Sequence, residues 1–243
     1  MPRFFFAKNS RRERCLCKLL AITQGTNKAM QIQGLYCGKS QLLQPSGEYT
    51  GIYKAPVNHV AVDELGIKGD VQVDKRYHGG PDKALHQYSL SGYQRIVEAY
   101  AELADIAVQG SIGENISIAE MSEANVCIGD IYRFGSVLVQ VSEPRRPCWK
   151  INAKFKQSDL TEFIEKEGIT GWYYRVLEAG EINLSDNAEL LERPNPQVTI
   201  AYFNSVLNMS QPSRDALASL IECTGLAAYL RARLELQSSE LDA

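Results

Sequence analysis

"NVCIGDIYRFGSVLVQVSEP", residues 125–144, carries the clearest strand signal in this 243-residue chain. Its two halves flank the turn Phe134-Gly135-Ser136 and read as paired strands. Val137, Val139 and Val141 fall on one side of the second half, with Leu138 and Gln140 on the other. β-branched residues suit such a half-buried pleated surface. Other stretches repeat the theme. "MQIQGLYCGKSQLL" starts at Met30 and sets Ile32, Gly34 and Tyr36 against Gln31, Gln33 and Leu35. "VNHVAVDELGIKGD" gives a short strand and then two glycines in a loop. "GWYYRVLEAGEINLSDNAELLE" reads as another hairpin with its turn near Ala179-Gly180. Many short strands with glycine turns predict a barrel or sandwich.

Helices interrupt and then follow this β-rich region. "SGYQRIVEAYAELA" places Tyr93, Ile96, Val97 and Tyr100 on one helical face. "SDLTEFIEKEG" is expected to start at a capping Ser158 and to stop at Gly168. After "ERPNPQ", where Pro194 and Pro196 mark a linker, three helical patterns run in succession. Ser213 is the expected cap of the second and Gly225 its stop. The expected organisation is an N-terminal extension over 1–29, a β domain over 30–193 and a three-helix domain over 194–243. The extension is arginine-rich with three consecutive phenylalanines and reads as weakly packed, from an upstream start, with a targeting or membrane-touching arm as the rival.

Composition narrows the function classes. At 44% hydrophobic and 23% charged residues the chain can bury a sizeable core. A net charge of −3 gives no global field favouring nucleic acid. In the helical tail only Arg231 and Arg233 cluster, too few for a recognition helix. No apolar run reaches the roughly 18 residues of a membrane span. Six cysteines are scattered, and the tightest pair, Cys15-x-Cys17, is not a zinc spacing. They read as reduced thiols of a cytoplasmic protein.

Three polar clusters carry the chemistry. In "GDVQVDKRYHGGPDKALHQY", Gly79 and Gly80 permit close approach of backbone N–H groups to a ligand, beside Lys75, Arg76, His78 and Lys83. That set suits a phosphate or other anion, although Gly-Gly-Pro-Asp is equally a structural turn. His78 and His86 have no third metal partner placed by the sequence. In "SIGENISI", Gly113-Glu114-Asn115 breaks an apolar run. In "SEPRRPCWK", Pro144 and Pro147 stiffen a loop that presents Cys148 beside Arg145, Arg146 and Lys150. Cations near a thiol favour the thiolate, a nucleophile or soft metal ligand. A half-buried structural thiol is the competing reading.

Together, "KRYHGGPDKALHQY", "IGENISI", "GDIYRFGSVLVQVSEPRRPCWK" and "GWYYRVLEAGEI" resemble the MOSC domain, and "ERPNPQVTIAYFNSVLN" resembles the start of the three-helix domain that follows it in the YiiM branch. The resemblance covers about residues 31 to 235. It implies an α+β, mainly β fold: a MOSC-type β-barrel with peripheral helices and a small C-terminal three-helix domain. It also implies binding of the molybdenum cofactor, with Cys148 as the metal ligand and catalytic residue. The cofactor-binding residues it suggests are Lys75, Arg76, His78, Gly79, Gly80, Asp82, Lys83, Asn115, Arg145, Lys150 and Arg175. His86 and Gln87 fall where relatives vary and are given no role. The activity implied is reduction of N-hydroxylated compounds, such as hydroxylaminopurine-type bases, with electrons from a flavoprotein reductase. The alternative is a sulfur carrier using a persulfide on Cys148. Pyridoxal-phosphate binding is a label of the wider group. Monomer and homodimer both remain open.

Overall fold

The computed structural model describes residues 30–74 and 78–241. The expected extension over 1–29, and the anion candidates Lys75 and Arg76, lie outside the described residues. The hairpin that opened the sequence reading is present. β10 (Ile131–Phe134) pairs antiparallel with β11 (Val137–Pro144), Phe134 facing Val137 across the turn. Val137, Val139 and Val141 are fully buried, as the alternation required.

This hairpin lies in a nine-stranded sheet. Next to β10 is β14 (Asn187–Glu192), and beyond it the short β1 (Met30–Gln31). On the other edge β11 pairs antiparallel with β12 (Trp172–Glu178), and β12 with β8 (Leu85–Gln87). β9 (Ile116–Ser117) runs parallel to β8, and β2 (Gly34–Gly38) and β5 (Lys54–Pro56) complete the order. The mixed sheet curls into a half-barrel with several helices around it. A smaller sheet holds β13 (Gly180–Asn183), β6 (His59–Asp63) and β7 (Gly66–Ile67), and β3 (Gln41–Leu43) pairs with β4 (Glu48–Thr50) as a separate hairpin.

One predicted hairpin becomes a sheet crossing instead. β12 and β13 are joined by Ala179 alone, yet β12 pairs with β11 and β8 while β13 pairs with β6. Gly180 sits where the chain changes sheets. A Cβ there would lie 2.4 Å from Ser136 Oγ, so the close crossing leaves no room for a side chain.

The helices follow their apolar faces. α1 (Leu90–Ala99) is capped by Ser89, which accepts a hydrogen bond from Gly92 N, and buries Tyr93 and Ile96. α2 (Lys150–Phe155) begins two residues after Cys148 and was not foreseen; six residues are too few for a clear helical period. α3 (Leu160–Lys166) starts after Asp159 rather than at a capping Ser158. Its first turn is satisfied from a distance, Asn152 Oδ1 accepting from Thr161 N at 2.8 Å. Helices α1, α2 and α3 enclose a second core with Tyr93, Ile96, Ile151, Phe155, Leu160 and Ile164.

The three C-terminal helices form as expected: α4 (Ile200–Leu207), α5 (Arg214–Ile221) and α6 (Ala228–Glu240). Thr199 caps α4 and Ser213 caps α5. Their apolar faces extend the core of the sheet. Ile200, Phe203, Val206, Leu217, Leu220, Leu230 and Leu234 belong to one buried cluster with Tyr132, Phe134, Val139, Val141 and Trp172. Polar bonds cross the same junction: Asn204 Nδ2 donates to Gly168 O at 2.9 Å, and Ala227 N donates to Ser142 O at 3.0 Å.

Because that core is shared, Phe203→Ala is expected to destabilise the whole chain by about 3–5 kcal/mol, the usual cost of a buried phenylalanine. Thermal unfolding should still show one transition, shifted down. Ending the chain after residue 193 should give a product that aggregates or lacks a cooperative melt, since it exposes the sheet surface under α4–α6. A stable, cooperatively melting truncation would show that the β domain carries its own sufficient core.

Candidate functional site

A cleft of about 620 Å³, open to solvent, lies on the β8–β12 side of the sheet. Its walls come from the ends of several elements: Thr50 to Ile52 at the end of β4, Lys54 at the start of β5, Asp70 to Asp74 after β7, Ile112, Gly113 and Asn115 before β9, and Arg145, Cys148 and Lys150 after β11. Lys83, His86 and Tyr173 complete it. Strand ends are where a sheet delivers side chains without exposing its ladder, so the topology gathers segments distant in sequence.

The structural anchor of the cleft is a buried ion pair. Lys54 Nζ lies 2.6 and 2.5 Å from the two carboxylate oxygens of Asp70, and each side chain is only 5% exposed. Asp70 also accepts from Gly38 N at 2.6 Å and from Asn115 Nδ2 at 3.1 Å. Asn115 is thereby drawn into the scaffold. Its Nδ2 donates also to Tyr36 O, and its Oδ1 accepts from His86 N at 3.1 Å. Both amide hydrogens are thus directed to protein acceptors, so Asn115 braces the wall, with Oδ1 its remaining polar capacity.

Cys148 lines the cleft as a free, partly exposed thiol. Above it the wall is cationic. Arg145 is 6% exposed, its Nη2 lies 3.5 Å from Ile112 O, and its Nη1 has no hydrogen-bond partner among the described residues. Lys150 Nζ donates to Tyr49 O at 2.9 Å and lies 3.6 Å from Glu48, which ties the cleft loop to the β3–β4 hairpin. Arg146 points elsewhere, 3.7 Å from Glu165. His78 Nδ1 is 3.1 Å from Tyr173 Oη. Burial, then the charges of Arg145 and Lys83, push His78 down to about 4. His86, buried against the Tyr173 ring, is held well below the usual imidazole range mainly by burial and then by Arg145. Both imidazoles are therefore neutral near pH 7.

The sequence candidates divide accordingly. His78, Lys83, Asn115, Arg145, Cys148 and Lys150 meet at the cleft. Arg175 and Asp82 are not on its wall. They pair with each other, Arg175 Nε and Nη2 lying 2.8 and 2.7 Å from Asp82 Oδ1, and Arg175 Nη1 donates to Gln140. Gly79 and Gly80 also stand outside the lining; Gly80 has a φ of 96° and opens the 3₁₀ turn Pro81–Lys83. Its glycine character serves the turn that aims Lys83. The reading of residues missed the Lys54–Asp70 pair, His86 and Tyr173. No local pattern marks Lys54 or Asp70, whereas the aromatic run at Trp172–Tyr174 offered a signal.

Two outcomes are expected. Asp70→Ala strands the Lys54 ammonium in a buried site and should cost about 3–5 kcal/mol in denaturant unfolding; a loss below ~1 kcal/mol would show that water reaches the pair. For His78 the folded value of about 4 lies below the unfolded 6.5, so the unfolded chain takes up the proton first. Its contribution is present in full above pH 6.5 and is lost as pH falls toward 4. The stability lost over that window, on the order of 3 kcal/mol, should shrink in His78→Gln. An unchanged pH slope in the variant would remove His78 from the balance.

Comparison with known proteins places this architecture. The model of the MOSC domain matches residues 74–189, the span from Asp74 on the cleft wall through β14. Protein YiiM of Escherichia coli (strain K12) is 39% identical over 160 residues, covering 65% of this chain and 71% of YiiM. The crystal structure of YiiM from Escherichia coli superimposes with a TM-score of 0.74 over 87% of this chain and 93% of that one, at 28% identity over this longer alignment. A protein named "Reductase" from Gibberella moniliformis is 39% identical over 183 residues, 74% of this chain but 32% of that longer protein. The chain therefore belongs to the YiiM family of MOSC-domain proteins.

Proposed function

We propose that this protein binds the molybdenum cofactor in the cleft, with Cys148 as its ligand to the metal, and reduces small N-hydroxylated compounds to amines. The observation that carries the reading is a free thiol at the mouth of a cation-lined cleft. A thiolate is a soft ligand suited to molybdenum beside dithiolene sulfurs. The cofactor's phosphate needs fixed cations and N–H donors. Arg145 offers a buried guanidinium whose Nη1 has no hydrogen-bond partner among the described residues, and Lys150 stands on the same wall.

When bound, the cofactor supplies the two-electron chemistry that side chains lack. The chain's own groups position and screen. Arg145 and Lys150, on the segment that carries Cys148, fix the thiol loop relative to an anion. The neutral His78–Tyr173 pair presents polar hydrogen atoms without adding charge. Ile52 and Ile112 give the cleft apolar surface against which water is excluded. The chain carries no flavin, haem or iron–sulfur motif, so the proposed partner is an electron-donating flavoprotein reductase. The reductase-named relative from Gibberella moniliformis supports the reaction class.

The test is metal and pterin analysis of protein made in a host that synthesises the cofactor. About one molybdenum and one pterin per chain are expected, with the metal lost in Cys148→Ser while thermal unfolding is unchanged. Wild-type protein free of molybdenum would overturn the reading; labile sulfane sulfur on Cys148 without metal would replace it with a sulfur carrier.

A further inference from the structure

One buried carboxyl near the cleft is not used by the cofactor reading. Glu143 is the penultimate residue of β11. The register of β11 against β12 slips between Val141 and Glu143, so alternation ends and Ser142, Glu143 and Pro144 are all buried. Such a bulge re-aims side chains. Here it turns Glu143 toward the junction of the sheet, the 3₁₀ turn and the C-terminal helix α6. Tyr229 of α6 donates its hydroxyl to Glu143 Oε2. Among the described residues Oε1 is buried without a hydrogen-bond partner, and Lys83 Nζ stands 3.7 Å from it. Lys83 reaches the cleft and lies over two aromatic faces, 4.7 Å from the centroid of Tyr229 and 5.9 Å from that of Tyr173. The groups facing Glu143 are thus Lys83 and Asp82 from the turn, Tyr173 from β12 and Tyr229 from α6.

We propose that Glu143 is the proton store for the cleft and that Lys83 carries its proton to the substrate, with the Tyr229 hydroxyl of α6 holding the carboxyl in place. The inference rests on the reductase reading above. The reaction is R–NHOH + 2 e⁻ + 2 H⁺ → R–NH₂ + H₂O, with a reduced flavoprotein supplying the electrons. One proton moves from Lys83 Nζ to the hydroxyl oxygen as the N–O bond breaks and water leaves. The N–O bonding pair leaves with the water oxygen; the nitrogen receives the two electrons that the flavoprotein supplies and takes the other proton from solvent. Glu143 then returns a proton to Lys83 and is refilled from solvent between turnovers. Lys83 would touch the reacting hydroxyl; Glu143 and Tyr229 act through it. The C-terminal helices thereby become part of the site.

Burial pushes Glu143 up to about 7, while the Tyr229 hydrogen bond and the Lys83 charge act in the opposite direction. The store is full below that pH and empty above it, so kcat should fall as pH rises through about 7. The assay uses molybdenum-loaded protein, a hydroxylaminopurine base and a chemically reduced viologen as donor. Glu143→Gln, an isostere of the protonated acid, should lower kcat roughly a hundredfold at acid pH with little change in KM, and abolish the fall. Tyr229→Phe removes a donor that favours the carboxylate, so the midpoint should move upward. The infrared carboxyl C=O stretch of the cofactor-free protein gives a second readout. A band titrating near pH 7 should be absent in Glu143→Gln and titrate higher in Tyr229→Phe. A wild-type profile unmoved by either variant, or a Glu143 already ionised at pH 5, overturns the proton store while leaving the reductase reading intact. Loaded wild-type protein that reduces no N-hydroxylated base overturns the reductase reading and the store with it.

Discussion

Strand β11 is the constraint on which the rest of the molecule depends. It pairs along both edges, with β10 on one side and β12 on the other, so its ladder fixes the middle of the nine-stranded sheet. Its first half alternates and drives Val137, Val139 and Val141 into the core. Its second half slips register and stops alternating. That change converts a structural strand into a functional one. Ser142 accepts a hydrogen bond from Ala227 N through its carbonyl, Glu143 faces α6, and Arg145 with Cys148 leaves toward the cleft. Arg145, Cys148 and Lys150 inherit their place on the cleft wall from this strand end.

The cleft combines two electrostatic environments within one wall. Lys54 and Asp70 neutralise each other in the scaffold, with Gly38 N and Asn115 completing the carboxylate's bonds. Such a pair adds little to net stability against an apolar substitute but fixes register strongly. Arg145 instead keeps a nitrogen without a partner among the described residues, and burial together with its charge suppresses protonation of His78 and His86. A site that holds an anion is well served by this division. Permanent guanidinium charge lines the cleft, and the imidazoles remain neutral hydrogen-bonding groups. Among the described residues no group of three His, Cys, Asp or Glu side chains that could hold a metal ion gathers.

The three-helix unit changes meaning once its contacts are known. Its helices were legible from the helical patterns themselves and from capping Ser213, while the Thr199 cap emerged only in the structure. Their attachment was not. Phe203 and Leu217 share a core with Tyr132 and Trp172, and Tyr229 reaches Glu143 and Lys83. A tail that reads as an appendage thus flanks the cleft.

Sequence by itself determined the local structure and the chemical vocabulary. Alternation located β10 and β11, helical spacing located α1 and α4–α6, and proline-stiffened, cation-rich sequence singled out Cys148, Arg145 and Lys150. These signals are local, so one segment suffices to reveal them. The resemblance of several ordered motifs named the family. Tertiary structure alone decided which polar residues meet. Arg175 and Asp82 looked available but satisfy each other across β12 and the 3₁₀ turn. Asn115 looked like a ligand contact but is bonded to Tyr36 and Asp70. Lys54 and Tyr229 carry no distinguishing neighbours in sequence, yet they shape the cleft or its flank. The physical reason is the same in each case: a polar group's role depends on its hydrogen-bond partners and burial, and both are set by strand order and packing between segments remote along the chain.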